Sequence, residues 1–145
     1  MPEAPFGIAI GDFNGDHHLD IAIAHYSGQG ADPSKNGLSV LYGDGRGNFT
    51  LAKGSPFPVG NYPPTAGAAD LNGDGINDLV LPSYQEDKIT VYLGGRNGIT
   101  LAGYSPIRVG RHPQCVAIGD LNGHGKGDLV VADQGDNDIL VFLSK

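Results

Sequence analysis

Apolar residues in this chain fall in short runs, the longest of four to six, divided by Gly, Pro, Asn and Asp. Short apolar runs bounded by such residues are the pattern of strands joined by tight turns. No window long enough for a helix keeps a 3.6-residue period. The middle of the chain shows the arrangement most clearly. It predicts four strands, at Thr65 to Ala69, Leu79 to Pro82, Lys88 to Leu93 and Ile99 to Ala102. The same series recurs on either side, led each time by an acidic segment beginning at Asp12, Asp70 and Asp120, so the starts are 58 and 50 residues apart. Ser55-Pro56 and Ser105-Pro106, Val59-Gly60 and Val109-Gly110, and Pro63 and Pro113 keep the spacing of 50.

Four antiparallel strands in about 50 residues make one propeller blade. The expected fold is therefore all-β, with about three four-stranded antiparallel blades. Blade one covers roughly 7–60, blade two 61–110 and blade three 111–145. Blade one carries seven extra residues between its second and third strands, and blade three stops at its third strand, Ile139 to Leu143, lacking a fourth. A ring needs about four to eight blades, so these cannot close on themselves. Their strand edges and outer faces then need cover. A homo-oligomer of two chains giving six blades would supply it, and so would the remainder of a longer chain.

Composition sharpens this picture. Of 145 residues 24 are Gly, and the 16 acidic residues are 14 Asp and 2 Glu. Aspartate favours turns and hard-cation sites while glutamate tolerates helices, so the imbalance excludes a helix bundle. The net charge of −7, with no Lys or Arg run, argues against a nucleic-acid partner. No apolar stretch approaches the ~20 residues of a membrane span, so no membrane insertion is expected. Met1 to Phe6 lacks the regions of a secretion signal, and the chain reads as a mature segment. A lone Cys115 excludes an intrachain disulfide, and its apolar neighbours predict a buried thiol.

Eight of the 14 Asp lie in the repeated acidic segments. The first two segments have the form Asp-x-Asn-x-Asp-x-x-x-Asp and the third departs from it only at the fifth place, with a backbone carbonyl available at the seventh place and glycine at the fourth to let the loop curl. Hard oxygen donors in that number suit calcium better than magnesium, and no His/Cys set exists for zinc. Loop one would use Asp12, Asn14, Asp16, the His18 carbonyl and Asp20. Loop two would use Asp70, Asn72, Asp74, the Ile76 carbonyl and Asp78. Loop three offers Asp120, Asn122, the Lys126 carbonyl and Asp128, but His124 takes the third ligand's place. A nitrogen donor and one charge fewer predict a weaker or empty third site. Two bound calcium ions would take the formal charge from −7 to −3. An EF-hand is excluded because Ile23, Leu81 or Val131 stands where the bidentate Glu belongs, and strands follow instead of helices.

These loops, above all Asp70-Leu71-Asn72-Gly73-Asp74-Gly75-Ile76-Asn77-Asp78-Leu79, resemble the FG-GAP or VCBS repeats of integrin-type β-propellers over essentially the whole chain. The resemblance implies a structural calcium that rigidifies each turn between first and second strands. His17, where glycine is usual, and His124 with Gly127 depart from the pattern.

No catalytic set accompanies the five histidines, which read as solvated turn residues, so a non-enzymatic protein is expected. Gly43 to Gly47 lacks the Lys-Ser/Thr of a phosphate loop and reads as a turn. Strand parity puts the metal loops on one face and the connections between second and third strands, and between blades, on the other. That second face collects Tyr26, Gln29, Asp32, Lys35 and Asn36 of the insertion region, with Asn61, Tyr62, Tyr84, Gln85, Arg111 and His112. Tyrosine beside amides and charges can stack on a sugar or anchor a protein, so a protein or glycan ligand is expected there. The alternative is a scaffold fragment of a larger secreted enzyme or surface protein. Calcium affinities of about 10⁻⁴–10⁻³ M belong to extracellular modules, which points to an extracellular or periplasmic home.

Overall fold

The computed structural model describes residues 4–28, 30 and 32–145. Its regular elements are twelve strands and one 3₁₀ turn, Pro33–Lys35, inside the blade-one insertion. Blade one is a meander of β1 (Ala4–Gly11), β2 (Asp20–Tyr26), β3 (Gly37–Gly43) and β4 (Phe49–Leu51). Blade two contains β5 (Gly67–Ala69), β6 (Asp78–Ser83), β7 (Lys88–Leu93), β8 (Thr100–Leu101) and β9 (Ile107–Arg108). Blade three holds β10 (Pro113–Gly119), β11 (Asp128–Asp133) and β12 (Asp138–Phe142). All pairings are antiparallel.

Three expectations change. The first strand of blade two begins at Gly67, not Thr65. Its fourth strand shrinks to β8, and β9 pairs the other end of β7 through Lys88↔Arg108 and Ile89↔Ile107. Between them the Ser105 amide turns back to the Ala102 carbonyl, while Ser105 Oγ accepts the Val91 amide at 3.0 Å. Ser55 Oγ does the same for Val40 in blade one. Cys115, expected inside, is exposed. Its strand alternates, so only Val116 and Ile118 turn inward, while Cys115 and Ala117 lie on a face that no blade covers.

Two apolar layers join the blades. Between blades one and two, Ala9, Phe13, Ala22, Ala24, Leu38 and Val40 pack on Ala66, Leu79, Leu81, Tyr92 and Ile99. Between blades two and three, Val80, Ile89, Val91 and Ala102 pack on Val116, Leu129 and Val131. All six residues of β6 are buried, since blade two has a neighbour on both sides. The outermost faces are apolar but open. Ile8 and Ile10 are 61% and 60% exposed on blade one, and Ile139 and Val141 are 65% and 51% exposed on blade three. Beside the unpaired edge of β12 lies a cleft of about 420 Å³ lined by Leu71, Tyr104, Ile107, Leu129 and Phe142.

Candidate metal loops and a tyrosine-lined groove

The turns joining β1 to β2, β5 to β6 and β10 to β11 are the acidic loops, and they share one construction. Asp12 Oδ1 accepts the amides of Asn14, Gly15 and Asp16, and its Oδ2 accepts that of His17. Asp70 repeats this with Gly73, Asp74 and Gly75, and Asp120 with Gly123, His124 and Gly125. Such a curl needs left-handed residues. His17 has a φ of 67°, in the place where Gly75 and Gly125 have 84° and 89°. The departure at His17 is thus accommodated by a strained backbone, costing roughly 1 kcal/mol.

The last carboxylate of each loop is the buried keystone. Asp20 Oδ2 accepts the Phe13 amide and Oδ1 the Gly43 amide, at 2.8 and 2.9 Å. Asp78 binds Leu71 and Gly94 in the same way. Burial pushes both carboxyls above the usual range, against the pull of those amides, and the neighbouring loop carboxylates add to the rise. The loops also tie blade to blade, because Asn77 donates its amide to the Asp12 carbonyl and Gly127 donates to that of Asp70, both at 2.8 Å. Gly127 fits closely there, since a Cβ would meet the Asp70 carbonyl at 3.2 Å and Ile118 at 2.9 Å, although Asn77 holds the equivalent place in loop two.

Among the described residues, no three acidic, His or Cys groups are gathered so as to hold an ion as they stand. The side-chain oxygens face the loop's own amides: Asn14 Oδ1 accepts from Asp16 N, and Asp16 Oδ1 from His18 N. In loop two Asn72 and Asp74 accept from Asp74 N and Ile76 N. The donor chemistry of loops one and two nevertheless fits a hard cation, because mutual repulsion already acts on Asp20 and Asp78 and a cation would relieve it. Loop three does not fit in the same way. His124 Nδ1 lies 3.4 Å from Asp120 and its Nε2 4.0 Å from Asp128, while Ser144 donates its amide and hydroxyl to Asp128. Although burial works against it, those Ser144 bonds, the Leu121 amide and the His124 ring together lower the Asp128 carboxyl. Lys126, expected to lend its carbonyl, bonds the Lys145 carbonyl through Nζ.

The opposite face brings together residues far apart in sequence. Phe6, Tyr26, Tyr62 and Tyr84 form a ladder of edge-to-face rings with centroids 4.9 to 5.9 Å apart, and His112 stacks on Tyr84 at 4.6 Å. Beside it opens a groove of about 430 Å³ lined by Tyr26, Tyr62, Tyr84, Gln85, Gln114 and Gln134. Gln114 and Gln134 were not legible as site residues from composition. Repeat position carries the signal, because Gln134 stands fourteen residues after the first Asp of its loop, as Tyr26 and Tyr84 do.

Two other candidates are placed differently. Asn36 is buried and spent on structure, accepting from Ser27 and donating to Asn61 Oδ1 at 2.7 Å. Arg111 pairs with Asp136 at 2.6 Å, outside the groove lining. Gln29 lies outside the described residues. Nor is His25 a solvated turn residue: it is buried in β2, with Nε2 3.0 Å from Ser39 Oγ.

No curated protein matches this chain. The family model for the FG-GAP-like repeat matches residues 12–81 and again residues 70–131, the two spans meeting in the second acidic loop. Three antiparallel blade-like sheets, led by acidic turns in one register, are what that repeat builds. The chain belongs to the FG-GAP-like repeat family.

Proposed function

We propose that this is a non-enzymatic, calcium-stabilised propeller module whose calcium is structural and whose opposite face presents loops to a protein or glycan. Asp12, Asn14, Asp16, Asp20 and the His18 carbonyl would hold one ion, and Asp70, Asn72, Asp74, Asp78 and the Ile76 carbonyl a second. The ion supplies positive charge where carboxylates repel. The observation that carries the reading is the backbone tie between successive loops, Asn77 to Asp12 and Gly127 to Asp70. Through it, a loop stiffened at one blade fixes the position of the next, and so the spacing of the tyrosines at the far end. An extracellular or periplasmic setting, where calcium is abundant, suits a site of this kind. Metal analysis with thermal melts in calcium and in chelator is the direct test. Bound calcium and a raised melting temperature support the reading; a metal-free chain with an unchanged melt removes it.

A second reading is a scaffold segment of a larger secreted enzyme or surface protein, with no binding activity of its own. The open apolar faces at Ile8 and Ile10 and at Ile139 and Val141 favour it, since a further blade or a second copy must cover them in a soluble assembly. Gel filtration separates the cases: a well-behaved dilute monomer opposes self-assembly.

A further inference from the structure

We propose that the groove lined by Tyr26, Tyr62, Tyr84, Gln85, Gln114 and Gln134 binds a neutral saccharide. The inference rests on the loop-presenting reading above and narrows it to one site and one ligand class. Its lining carries no charged residue. The charges nearby are occupied: Lys88 pairs with Glu86 at 2.9 Å, Arg111 pairs with Asp136 at 2.6 Å, and Asp87 accepts the His112 amide at 3.0 Å. A carboxylated or sulfated ligand would enter without a counter-charge in the lining, and its desolvation would go uncompensated.

The groups that do line the groove match hydroxyl-bearing rings. Each carboxamide offers a donor and an acceptor side by side, as adjacent sugar hydroxyls require. Gln85, Gln114 and Gln134 are all exposed. Tyr84 Oη donates to Gln134 Oε1 at 3.1 Å, which fixes one tyrosine hydroxyl and one amide in place across the boundary of blades two and three. Tyr62 and Tyr84, both half-buried, supply aromatic surface for the apolar face of a pyranose. Because each ring is already held by the next, with interplanar angles of 66° to 84° along the ladder, little side-chain freedom is lost on binding.

Size points the same way, since about 430 Å³ lies within the ~300–1,000 Å³ of small-molecule sites. A protein partner would need a protruding anchor or a broad apolar patch on this face. Tyr26 is instead recessed, at 7% exposure.

The test uses the full chain in calcium buffer, titrated with the methyl glycosides of glucose, galactose, mannose, fucose and N-acetylglucosamine, and with N-acetylneuraminic acid as the charged comparison. Binding is followed by saturation-transfer NMR and by tyrosine fluorescence, which no tryptophan obscures. At least one neutral glycoside is expected to bind, with about tenfold weaker affinity in Tyr84→Ala and in Gln114→Ala. Tyr104→Ala, in the cleft beside β12, should bind as the parent does. Gln114 and Gln134 are exposed, so Gln114→Ala and Gln134→Ala keep the test valid if Tyr84→Ala fails to fold. Absence of binding by every neutral glycoside, binding of the charged sugar alone, or binding untouched by the glutamine variants overturns the proposal. A protein or glycan ligand whose capture survives those variants would remove the groove yet leave the loop-presenting reading standing.

Discussion

Loops two and three are built on the same backbone, fifty residues apart, yet they manage charge in different ways. In each, the first Asp gathers the loop amides and the last Asp, buried, accepts two more. Loop two then has Asp74 at its third ligand position and Gly94 opposite its keystone, so Asp78 is raised by burial and, to a smaller degree, by the neighbouring carboxylates. Loop three has His124 and Ser144 in those places, and Asp128 falls. The comparison separates two properties that the acidic segment combines. Curling is a matter of glycine conformation and Asx hydrogen bonding. Cation demand is a matter of how many carboxylates remain unrelieved.

The largest effect that could break this comparison is removal of a keystone. Asp78→Ala leaves the Leu71 and Gly94 amides buried without an acceptor, and is expected to cost roughly 4 kcal/mol in urea unfolding. Asp128→Ala, in a blade with a neighbour on one side only, should cost less; equal losses would mean the third loop is as integral as the second. Next in size is calcium itself. Two ions per chain are expected by calorimetry, each contributing about 2.7 kcal/mol of stabilisation at a hundredfold excess over its Kd. Three ions in the unaltered chain would erase the distinction between the loops.

His124→Asp sharpens the comparison by converting loop three into a copy of loop two. Stoichiometry should rise to three, while in chelator the variant should be less stable than the parent by roughly 1 kcal/mol, because a ring that faced two carboxylates becomes a third carboxylate. A variant that gains no ion would show that the third loop lacks the geometry as well as the charge. The smallest effect belongs to Ser144→Ala, which removes the hydroxyl from Asp128 and His124 but keeps the Ser144 amide bond. About 0.5–1 kcal/mol is expected, read from the same melts.

Most of the fold was legible because the signals are local and repeated. Alternation, glycine at the curls and the register of Asp12, Asp70 and Asp120 locate the blades without reference to distant contacts. What escaped depends on neighbours that a linear pattern does not contain. The run Cys115-Val116-Ala117-Ile118 reads as buried throughout, but only the face toward blade two has a partner. β9 is two residues long, and its pairing with β7 depends on Ser105 taking over an amide mid-strand. At the candidate sites the acidic residues announced themselves, whereas their hold on their own amides did not. On the other face the tyrosines were visible individually. Their contact across blades, and the glutamines that share the groove, followed only from the packing of one repeat beside the next.

The open faces of blades one and three have one further consequence. Ala117, Val130, Ala132, Ile139 and Val141 occupy in blade three the repeat positions by which Ala9, Ala22, Ala24, Leu38 and Val40 of blade one grip blade two. Ile8, Ile10, Ile21 and Ile23 likewise stand where Ala66, Ala68, Leu79 and Leu81 receive that grip. One end of the module is thus a socket and the other a plug, and the two are not interchangeable. Back-to-back association would set plug against plug or socket against socket, and neither pair is complementary. Extension in a single sense, plug into socket, continues the internal geometry, and the rotation accumulated at each step decides whether the result closes as a ring or climbs as a helix.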